Sequence, residues 1–340
     1  MISLWQGRLA VAPFFLMMKL RFGIFVLIFF ATATAAIAQQ KVRLNWGAIS
    51  GVMSAIWVAQ EEGLFKKHGL DLELIHIAST SRAIQSMLSG EIHYTTADAL
   101  NSIQAVGAGA DVVMFCAGIN RFVFSIMARP DIKRVVDLKG KKIGITRIGS
   151  STHTAVLHVV NKAGLGPKDY ALLQLGEVPN ILTTLLAGQI DAGALSPPTN
   201  SRAKKAGLQE LVNLGVDGPE YPSTVMASTR AYVKANPENS RRMVRALGEG
   251  LHIFKTNRQS GIRAIQKYAR LQDADILDDT YNQFRDAFDA IPYVSRAGIQ
   301  SLISSLGEKD VKIRQLKYED VADMRFVAEV EKDGFFKKLK

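Results

Sequence analysis

The sequence has one cysteine, Cys116, among its 340 residues. A single thiol cannot form an intramolecular disulfide, and it cannot alone supply a zinc or iron–sulfur site built from several thiolates. Proline is scarce at ten residues and no residue type dominates, which excludes collagen-like and disordered chains. Because 340 residues exceed the usual size of one domain, we expect two domains without a covalent cross-link.

The usual spacings of catalytic and metal-binding residues are also missing. The six histidines include no HExxH pattern, and His153 and His158 are five positions apart, which does not place them on one helical face. No GxSxG nucleophile elbow occurs, and Cys116 lies in an apolar run where a buried, unreactive thiol is expected. These absences favour a binding protein over an enzyme, and we expect no metal and no cofactor.

Acidic residues are missing from the first 38 positions. There, Lys19 and Arg21 precede an uncharged run at 22–38 that ends in Ala-Ile-Ala, the small-x-small pattern after which a signal peptidase cuts. The run just reaches the roughly 17 to 25 residues that span a membrane, so an uncleaved anchor is the alternative. We predict a cleavable signal peptide at 1–38 and export to the periplasm.

Basic residues outnumber acidic ones by 42 to 31. Without the first 38 residues the counts are 39 and 31, a net charge of +8. The basic residues are scattered, and short groups such as 139–142 are typical of a solvated surface. This distribution does not indicate a nucleic-acid interface, but it is compatible with an anionic small molecule as the partner.

After Gln39, short apolar runs alternate with amphipathic ones, which is typical of an α/β protein. We predict strands at 41–46, 71–77 and 91–96. Helices are predicted at 54–67 and 80–89, where glycines follow the last periodic residues.

The same order of elements recurs about 98 residues later. The segment Leu88-Ser-Gly-Glu-Ile-His93 aligns with Leu186-Ala-Gly-Gln-Ile-Asp191, including the glycine that follows the helix. Strands at 142–146 and 170–175 and a helix at 152–162 take the places of their counterparts. The repeat therefore predicts two similarly built α/β lobes.

Two extended runs, 121–128 and 223–229, are predicted to join the lobes as crossover strands. We place the first lobe at 39–125 plus 228–340 and the second at 126–227. A helical C-terminal tail, with Asn236 as the N-cap of its first helix, is expected to cover the first lobe. The predicted tail helices are 237–255, 261–270, 275–288, 296–306 and 318–330.

In open α/β sheets, ligands bind where strands lead into helix N-termini. Gly149-Ser-Ser-Thr152 follows a predicted strand, and its amides and hydroxyls suit a carboxylate, sulfonate or nitrate; plain N-capping is the alternative. Trp46 could stack on a planar ligand or pack in the core. Asp98 and its repeat counterpart Ser196 could contact the ligand or cap a helix. Arg147 could neutralise an anion or be solvated.

Three segments resemble the nitrate/sulfonate/taurine and thiamine-precursor group of ABC-transporter substrate-binding proteins. They are Glu62–Glu73, Leu88–Ile92 and Asp137–Gly144. The resemblance implies the type II periplasmic-binding fold, in which two α/β lobes joined by two crossover strands enclose a ligand. Combined with the candidates above, the expected ligand-binding residues are Trp46, Ser50, Gly51, Thr80, Asp98, Arg147, Ser150, Ser151, Thr152, His153 and Ser196.

The resemblance also implies a function. We expect a monomeric periplasmic protein that captures a small organic ligand and delivers it to an ABC permease in the inner membrane, with no nucleic acid involved. One alternative is a protein that binds or synthesises a thiamine pyrimidine precursor, although the enzyme branch carries a cysteine-rich iron motif of which this chain has only Cys116. Another is a periplasmic sensory protein.

Overall fold

The structure is a computed structural model that describes residues 41–339. The predicted signal peptide at 1–38 lies outside the described residues. Within 41–339, no helix combines the length and the apolar character needed to cross a lipid bilayer.

Ten strands form two five-stranded sheets in the described part of the chain. The strands are β1 (Val42–Trp46), β2 (Leu72–His76), β3 (Tyr94–Ala97), β4 (Val113–Arg121), β5 (Ser125–Ala128), β6 (Lys142–Ile145), β7 (Ala171–Gln174), β8 (Ala192–Leu195), β9 (Gln209–Asn213) and β10 (Glu220–Ser228). The first sheet has the order β2-β1-β3-β10-β4 and the second the order β7-β6-β8-β5-β9.

Both sheets follow one plan, in which three parallel strands adjoin an antiparallel strand. The antiparallel strand is β10 in the first sheet and β5 in the second. Strands β3 and β8 begin at Tyr94 and Ala192, 98 residues apart. The predicted two-lobe α/β class is confirmed.

Helices cover the faces of both sheets. In the lobes they are α1 (Ser54–Glu61), α2 (Leu64–Lys67), α3 (Thr80–Leu88), α4 (Ala99–Gly107), α5 (Ser151–Lys162), α6 (Val178–Leu186), α7 (Thr199–Lys205) and α8 (Leu214–Asp217), with 3₁₀ turns at Gly51–Met53 and Val135–Leu138. In the tail they are α9 (Arg230–Ala235), α10 (Pro237–Thr256), α11 (Arg258–Ala269), α12 (Ala274–Ala287), α13 (Arg296–Gly307), α14 (Val311–Arg314), α15 (Tyr318–Val321), α16 (Arg325–Lys332) and α17 (Phe335–Lys338).

The chain crosses between the sheets at 122–124 and again at 214–219. Strand β10 lies within the first sheet over its whole length, so the return to the first lobe comes near Glu220, earlier than the predicted boundary at 228. Val225 pairs with both β3 and β4. The apolar pattern predicted a crossover there because a strand buried on both faces has the same uninterrupted run of apolar residues.

The tail packs mainly on the first lobe. In α10, Gly250 lies directly against the carbonyl of Ala55 in α1. The start of helix α12 also reaches the second lobe, where the Lys205 ammonium is 2.6 Å from a carboxylate oxygen of the N-cap residue Asp273. The tail therefore contacts both lobes and covers the core of the first.

Three local predictions differ from the structure. The helix predicted at 54–67 is divided into α1 and α2 by Gly63, whose φ of 66° lies in the left-handed region. The helix predicted at 318–330 is divided because the Asp323 amide donates to the Met114 carbonyl of β4. Asn236 does not cap α10, since its side-chain amide donates to the Tyr232 carbonyl instead.

Candidate functional site

A cleft of about 870 Å³, its open mouth included, lies between the two lobes. Residues 47–50 line it from the first lobe, and Ser150 to Thr152 line it from the second. The two loop tips that the sequence singled out therefore face a common cavity. This is the position in which open α/β sheets bind ligands, outside the carboxyl ends of their strands.

Three helices begin at this cleft. Thr80 opens α3, Ser151 opens α5 and Val178 opens α6, and all three residues line the cavity. The first-turn amides of Ser151 and Thr152 donate to no acceptor among the described residues. Free amides and the positive ends of helix dipoles both stabilise negative charge. The cleft is thus suited to an anion.

The hydroxyls of the turn before α5 are mostly used within the second lobe. Ser150 caps the helix by accepting from the amide of His153. The Thr152 hydroxyl accepts from the amide of Thr146 at 2.9 Å. Capping therefore describes the contact of Ser150, whereas Thr152 holds the end of the preceding strand, and both residues still line the cleft. The Ser151 hydroxyl instead reaches the other lobe.

Asp98 is buried behind the cleft lining. Its carboxylate caps α4 by accepting from the amide of Asn101 at 2.9 Å, and it also accepts from the Asn101 side chain. The Ser151 hydroxyl donates to it across the lobes at 3.1 Å. Burial raises the pKa of Asp98, while the hydrogen bonds from Asn101 and Ser151 oppose the rise. Asp98 therefore connects the lobes and is not itself part of the cavity wall.

A second contact between the lobes involves Ser50 and Ser196, which are both buried. The Ser196 hydroxyl donates to the Ser50 hydroxyl at 2.9 Å. The Ser50 hydroxyl and the Gly51 amide donate to the Pro197 carbonyl at 2.9 Å and 3.2 Å. The structure thus has the lobes in contact on the cleft side, with Gly51 engaged by the second lobe.

Four predicted site residues do not line the cavity: Gly51 and Asp98, described above, and Trp46 and His153. Trp46 stacks on His76 with ring centroids 4.1 Å apart and meets Trp57 and Tyr268 edge-on. A side chain at a strand end points to one face of the sheet, and here that face is covered by the tail. His153 accepts at Nδ1 from the amide of Gly149, and burial lowers its pKa.

Sequence reasoning missed the residues that the crossover segments contribute to the cleft. Val123, Phe124, Ser223 and Thr224 line it, together with Thr96 at the end of β3. The hydroxyls of Thr96, Ser223 and Thr224 are buried and have no hydrogen-bond partner in the described structure. Buried hydroxyls are rarely left unpaired in proteins, so these three stand out among the residues of the cleft wall. The sequence placed Ser223 and Thr224 in or beside a segment predicted to join the lobes, and Thr96 at the end of a predicted strand.

The cleft carries two charged side chains among the described residues that line it, Arg147 and Glu177. Arg147 is exposed and forms no ion pair with any other residue in 41–339. Burial lowers the pKa of His76 in the first lobe, and the Glu177 carboxylate opposes that shift from the second. Arg147 is therefore the cation free to pair with a bound anion.

The described residues include no group of three or more His, Cys, Asp or Glu side chains placed to hold a metal ion. Cys116 is buried in β4, and burial raises the pKa of its thiol.

The unpartnered hydroxyls give a first testable prediction. Thr224→Val and Thr96→Val replace such a hydroxyl with a methyl group, so the free energy of unfolding of the ligand-free protein should rise by about 1 kcal/mol. Thr95→Val is the matched control, because its hydroxyl accepts from Asn45 and donates to the Thr96 carbonyl. That variant should lose about 1–3 kcal/mol in chemical denaturation. Equal losses in all three would show that the hydroxyls of Thr96 and Thr224 are paired.

Comparison with known proteins places this geometry in context. A family model described as "NMT1/THI5 like" matches residues 51–259. The chain is 23% identical to "Putative binding protein YtlA" of Bacillus subtilis over 324 residues, which cover 90% of this chain and 97% of that protein. It is also 23% identical over 210 residues to the yeast "4-amino-5-hydroxymethyl-2-methylpyrimidine phosphate synthase THI5" of Saccharomyces cerevisiae, covering 56% of this chain and 60% of that one.

Solved structures share the fold. The alkanesulfonate-binding protein SsuA from Xanthomonas axonopodis pv. citri, bound to MOPS, superposes with a TM-score of 0.72 at 21% identity, covering 83% of this chain and 98% of that one. The periplasmic aliphatic sulphonate binding protein SsuA from Escherichia coli gives 0.68 at 21% identity, with the same coverage. The predicted periplasmic-binding fold is confirmed.

Proposed function

The chain belongs to the NMT1/THI5-like family, and from that membership and the cleft we propose that it is the solute-binding component of an ABC importer. Its ligand is a small organic anion held between the two lobes. The observation that carries this proposal is the convergence of three helix N-termini and the unpaired Arg147 on one cleft between the lobes. The binding proteins among its relatives and structural neighbours support the same conclusion.

Binding acts through closure of the lobes. The hydrogen bonds from Ser196 to Ser50 and from Ser151 to Asp98 exist only while the lobes touch. A ligand that contacts both lobes stabilises the closed form by its differential affinity for that form. The two short crossings at 122–124 and 214–219 are the segments about which the lobes move. The ligand is retained without being chemically changed.

We place the protein in the periplasm as a monomer that delivers its ligand to a membrane permease, without contact to nucleic acid. The name of the Escherichia coli neighbour, a periplasmic binding protein, supports this location.

A second candidate is binding of a thiamine pyrimidine precursor. The relative named as a pyrimidine phosphate synthase favours it, and so do the three unpartnered hydroxyls, which suit the ring nitrogens and amino group of a neutral heterocycle. A neutral pyrimidine would not depend on Arg147. The requirement for this residue therefore separates the two candidates.

The test compares Arg147→Glu with Lys168→Glu. Lys168 is an exposed residue of the same lobe that does not line the cleft. Both variants change the charge equally. Calorimetry with small sulfonates and carboxylates should show at least a tenfold loss of affinity for Arg147→Glu, since a hydrogen bond to a charged group contributes about 1.5–3 kcal/mol. Lys168→Glu should bind as the wild type does.

Three results would count against the anion proposal. One is unchanged anion affinity in Arg147→Glu, and another is the absence of any anion binding by the wild type. The third is binding of 4-amino-5-hydroxymethyl-2-methylpyrimidine with an affinity indifferent to residue 147. That last result would support the pyrimidine candidate instead.

A further inference from the structure

The second lobe also meets the tail outside the cleft, where α7 lies against the first half of α12. Ser201 and Lys205 are four residues apart on α7, so they share one face of that helix. The Ser201 hydroxyl donates to the Asp279 carboxylate at 2.5 Å. The Lys205 ammonium lies 2.6 Å from the Asp273 carboxylate and 3.8 Å from that of Asp275. We call these contacts the α7–α12 latch.

Each helix of the latch is fixed within its own lobe. Ala203 of α7 has no exposed surface and belongs to an apolar cluster of the second lobe. On the other side, the Phe284 ring of α12 is so close to Gly51 that a Cβ there would lie 2.3 Å from it. The Tyr281 ring of α12 lies 5.1 Å from that of Phe254 in α10. Neither helix can follow the other when the lobes part, so opening must break the latch.

The latch is set apart from the segments about which the lobes move. A groove of about 940 Å³, its open mouth included, lies beside it. The walls of this groove include Phe122 and Gly215 of the two crossing segments, together with Asn200 of α7 and Gln283 of α12. Because the latch is not part of the crossings, movement of the lobes about them changes the distance between its two helices.

The latch combines a sheltered contact with an exposed one. Ser201 is 7% exposed, and its hydrogen bond is to a charged acceptor, which makes it stronger than a bond between neutral groups. The pair of Lys205 and Asp273 is more exposed and therefore more sensitive to salt. The ammonium lowers the pKa of Asp273, and the carboxylate raises the pKa of Lys205, so both carry charge at neutral pH. These contacts join side chains of the protein itself and require no ligand.

We propose that the α7–α12 latch holds the lobes together in the ligand-free protein and thereby sets the affinity of the cleft. This inference rests on the proposed function in one respect, because it assumes lobes that open and close, but it does not depend on the chemistry of the ligand. A ligand that binds the closed form has an apparent affinity proportional to the fraction of protein already closed. Loosening the latch therefore weakens binding, although no latch residue lines the cleft.

The test measures the distance between the lobes in the ligand-free protein. Spin labels at Arg82→Cys in α3 and Thr183→Cys in α6 report this distance by pulsed electron paramagnetic resonance, and both positions are exposed. Cys116 is buried and should remain unlabelled. Asp279→Ala should raise the ratio of open to closed protein about tenfold, since it removes a hydrogen bond to a charged group. Lys205→Gln should raise it by up to about fivefold, as expected for an exposed ion pair.

Two neighbouring residues provide matched controls. Asp278 pairs with Arg258 within the tail, and the Lys204 ammonium lies 2.9 Å from Glu210 within the second lobe. Asp278→Ala and Lys204→Gln remove the same charges from the same helices without touching a contact between the lobes, so the label distance should stay as in the wild type. In the wild type, 1 M NaCl should reproduce the effect of Lys205→Gln, because the Debye length is then only about 3 Å.

The outcomes separate the latch from the proposed function. Label distances longer than those of the structure in the wild type at low salt would overturn the latch, and so would equal distances in each variant and its matched control. If either occurs while sulfonates or carboxylates still bind, the proposed function stands without the latch. If the latch variants open but no anion binds, the latch stands and the proposed ligand class fails. Thermal melting verifies folding, and Lys205→Gln, an exposed substitution, decides the question if Asp279→Ala does not fold.

Discussion

After oxidation, a Ser50→Cys, Ser196→Cys double variant should trap whatever the cleft holds. The two hydroxyl oxygens are 2.9 Å apart and belong to opposite lobes, a spacing compatible with the geometry of a disulfide. Loaded with ligand and then oxidised, the variant should release it more than about 100-fold more slowly than its reduced form. Oxidised while empty, it should take up no ligand, because a covalent bond between the lobes prevents the cleft from opening.

The measurement is the dissociation rate of a fluorescent or radioactive ligand with and without reductant. Ser50→Cys alone is the control for mispairing with Cys116, which is buried and whose thiol has a raised pKa. The single variant should exchange ligand at the same rate with and without reductant. If the oxidised double variant exchanges ligand as fast as the reduced one, opening of the lobes is not the route of entry, and the closure mechanism is wrong.

The fold was predictable because its signals are local and occur twice. Strand and helix periodicity extends over a few residues, and the segments beginning at Leu88 and Leu186 carry the same pattern, including the glycines Gly90 and Gly188. Both glycines have positive φ, at 81° and 69°. A residue without a Cβ is needed where the chain turns left-handed after α3 and α6. The same local need for a glycine after a helix therefore occurs once in each lobe, and this repetition indicated two lobes.

The loops of the site were predictable, but the direction of each side chain was not. Strand β1 could present Trp46 to the ligand or to the tail. Its orientation depends on Tyr268 in α11, far away in the sequence. Similarly, nothing local distinguishes Ser151, which reaches the other lobe, from Ser150, which caps its own helix. Such choices depend on contacts between lobes, which a periodic pattern does not encode.

The sequence offered two roles for Asp98, helix capping or ligand contact, and neither describes it fully. As a helix cap it was expected to act within its own lobe, and as a ligand contact it was expected in the cavity. The carboxylate does cap α4, yet its remaining lone pairs accept from Ser151 of the second lobe. A carboxylate accepts several hydrogen bonds at once, so capping leaves it free to connect the lobes.

Gly250 of α10 is the position where a small change should cost the most stability. A Cβ there would lie 2.5 Å from the carbonyl oxygen of Ala55 and 3.1 Å from the Cβ of Ala59, both in α1. The helical backbone of α1 cannot rotate away, so Gly250→Val must push α1 and α10 apart. We expect the free energy of unfolding to fall by about 3 kcal/mol, the upper part of the range for overpacked cores.

Gly248, two residues before Gly250 on the same helix, is the comparison position. A Cβ at Gly248 would meet the ring of Phe336 at 2.5 Å, a side chain in the last short helix that can shift. Gly248→Ala should therefore change stability by less than about 1 kcal/mol, because alanine's higher helix propensity offsets the contact. Chemical denaturation measures the free energy of unfolding of both variants.

Since α1 follows directly from the turn at Gly51–Met53, beside the cleft, Gly250→Val should also weaken ligand binding, whereas Gly248→Ala should not. Equal losses of stability in the two variants would show that α1 yields as readily as Phe336 does.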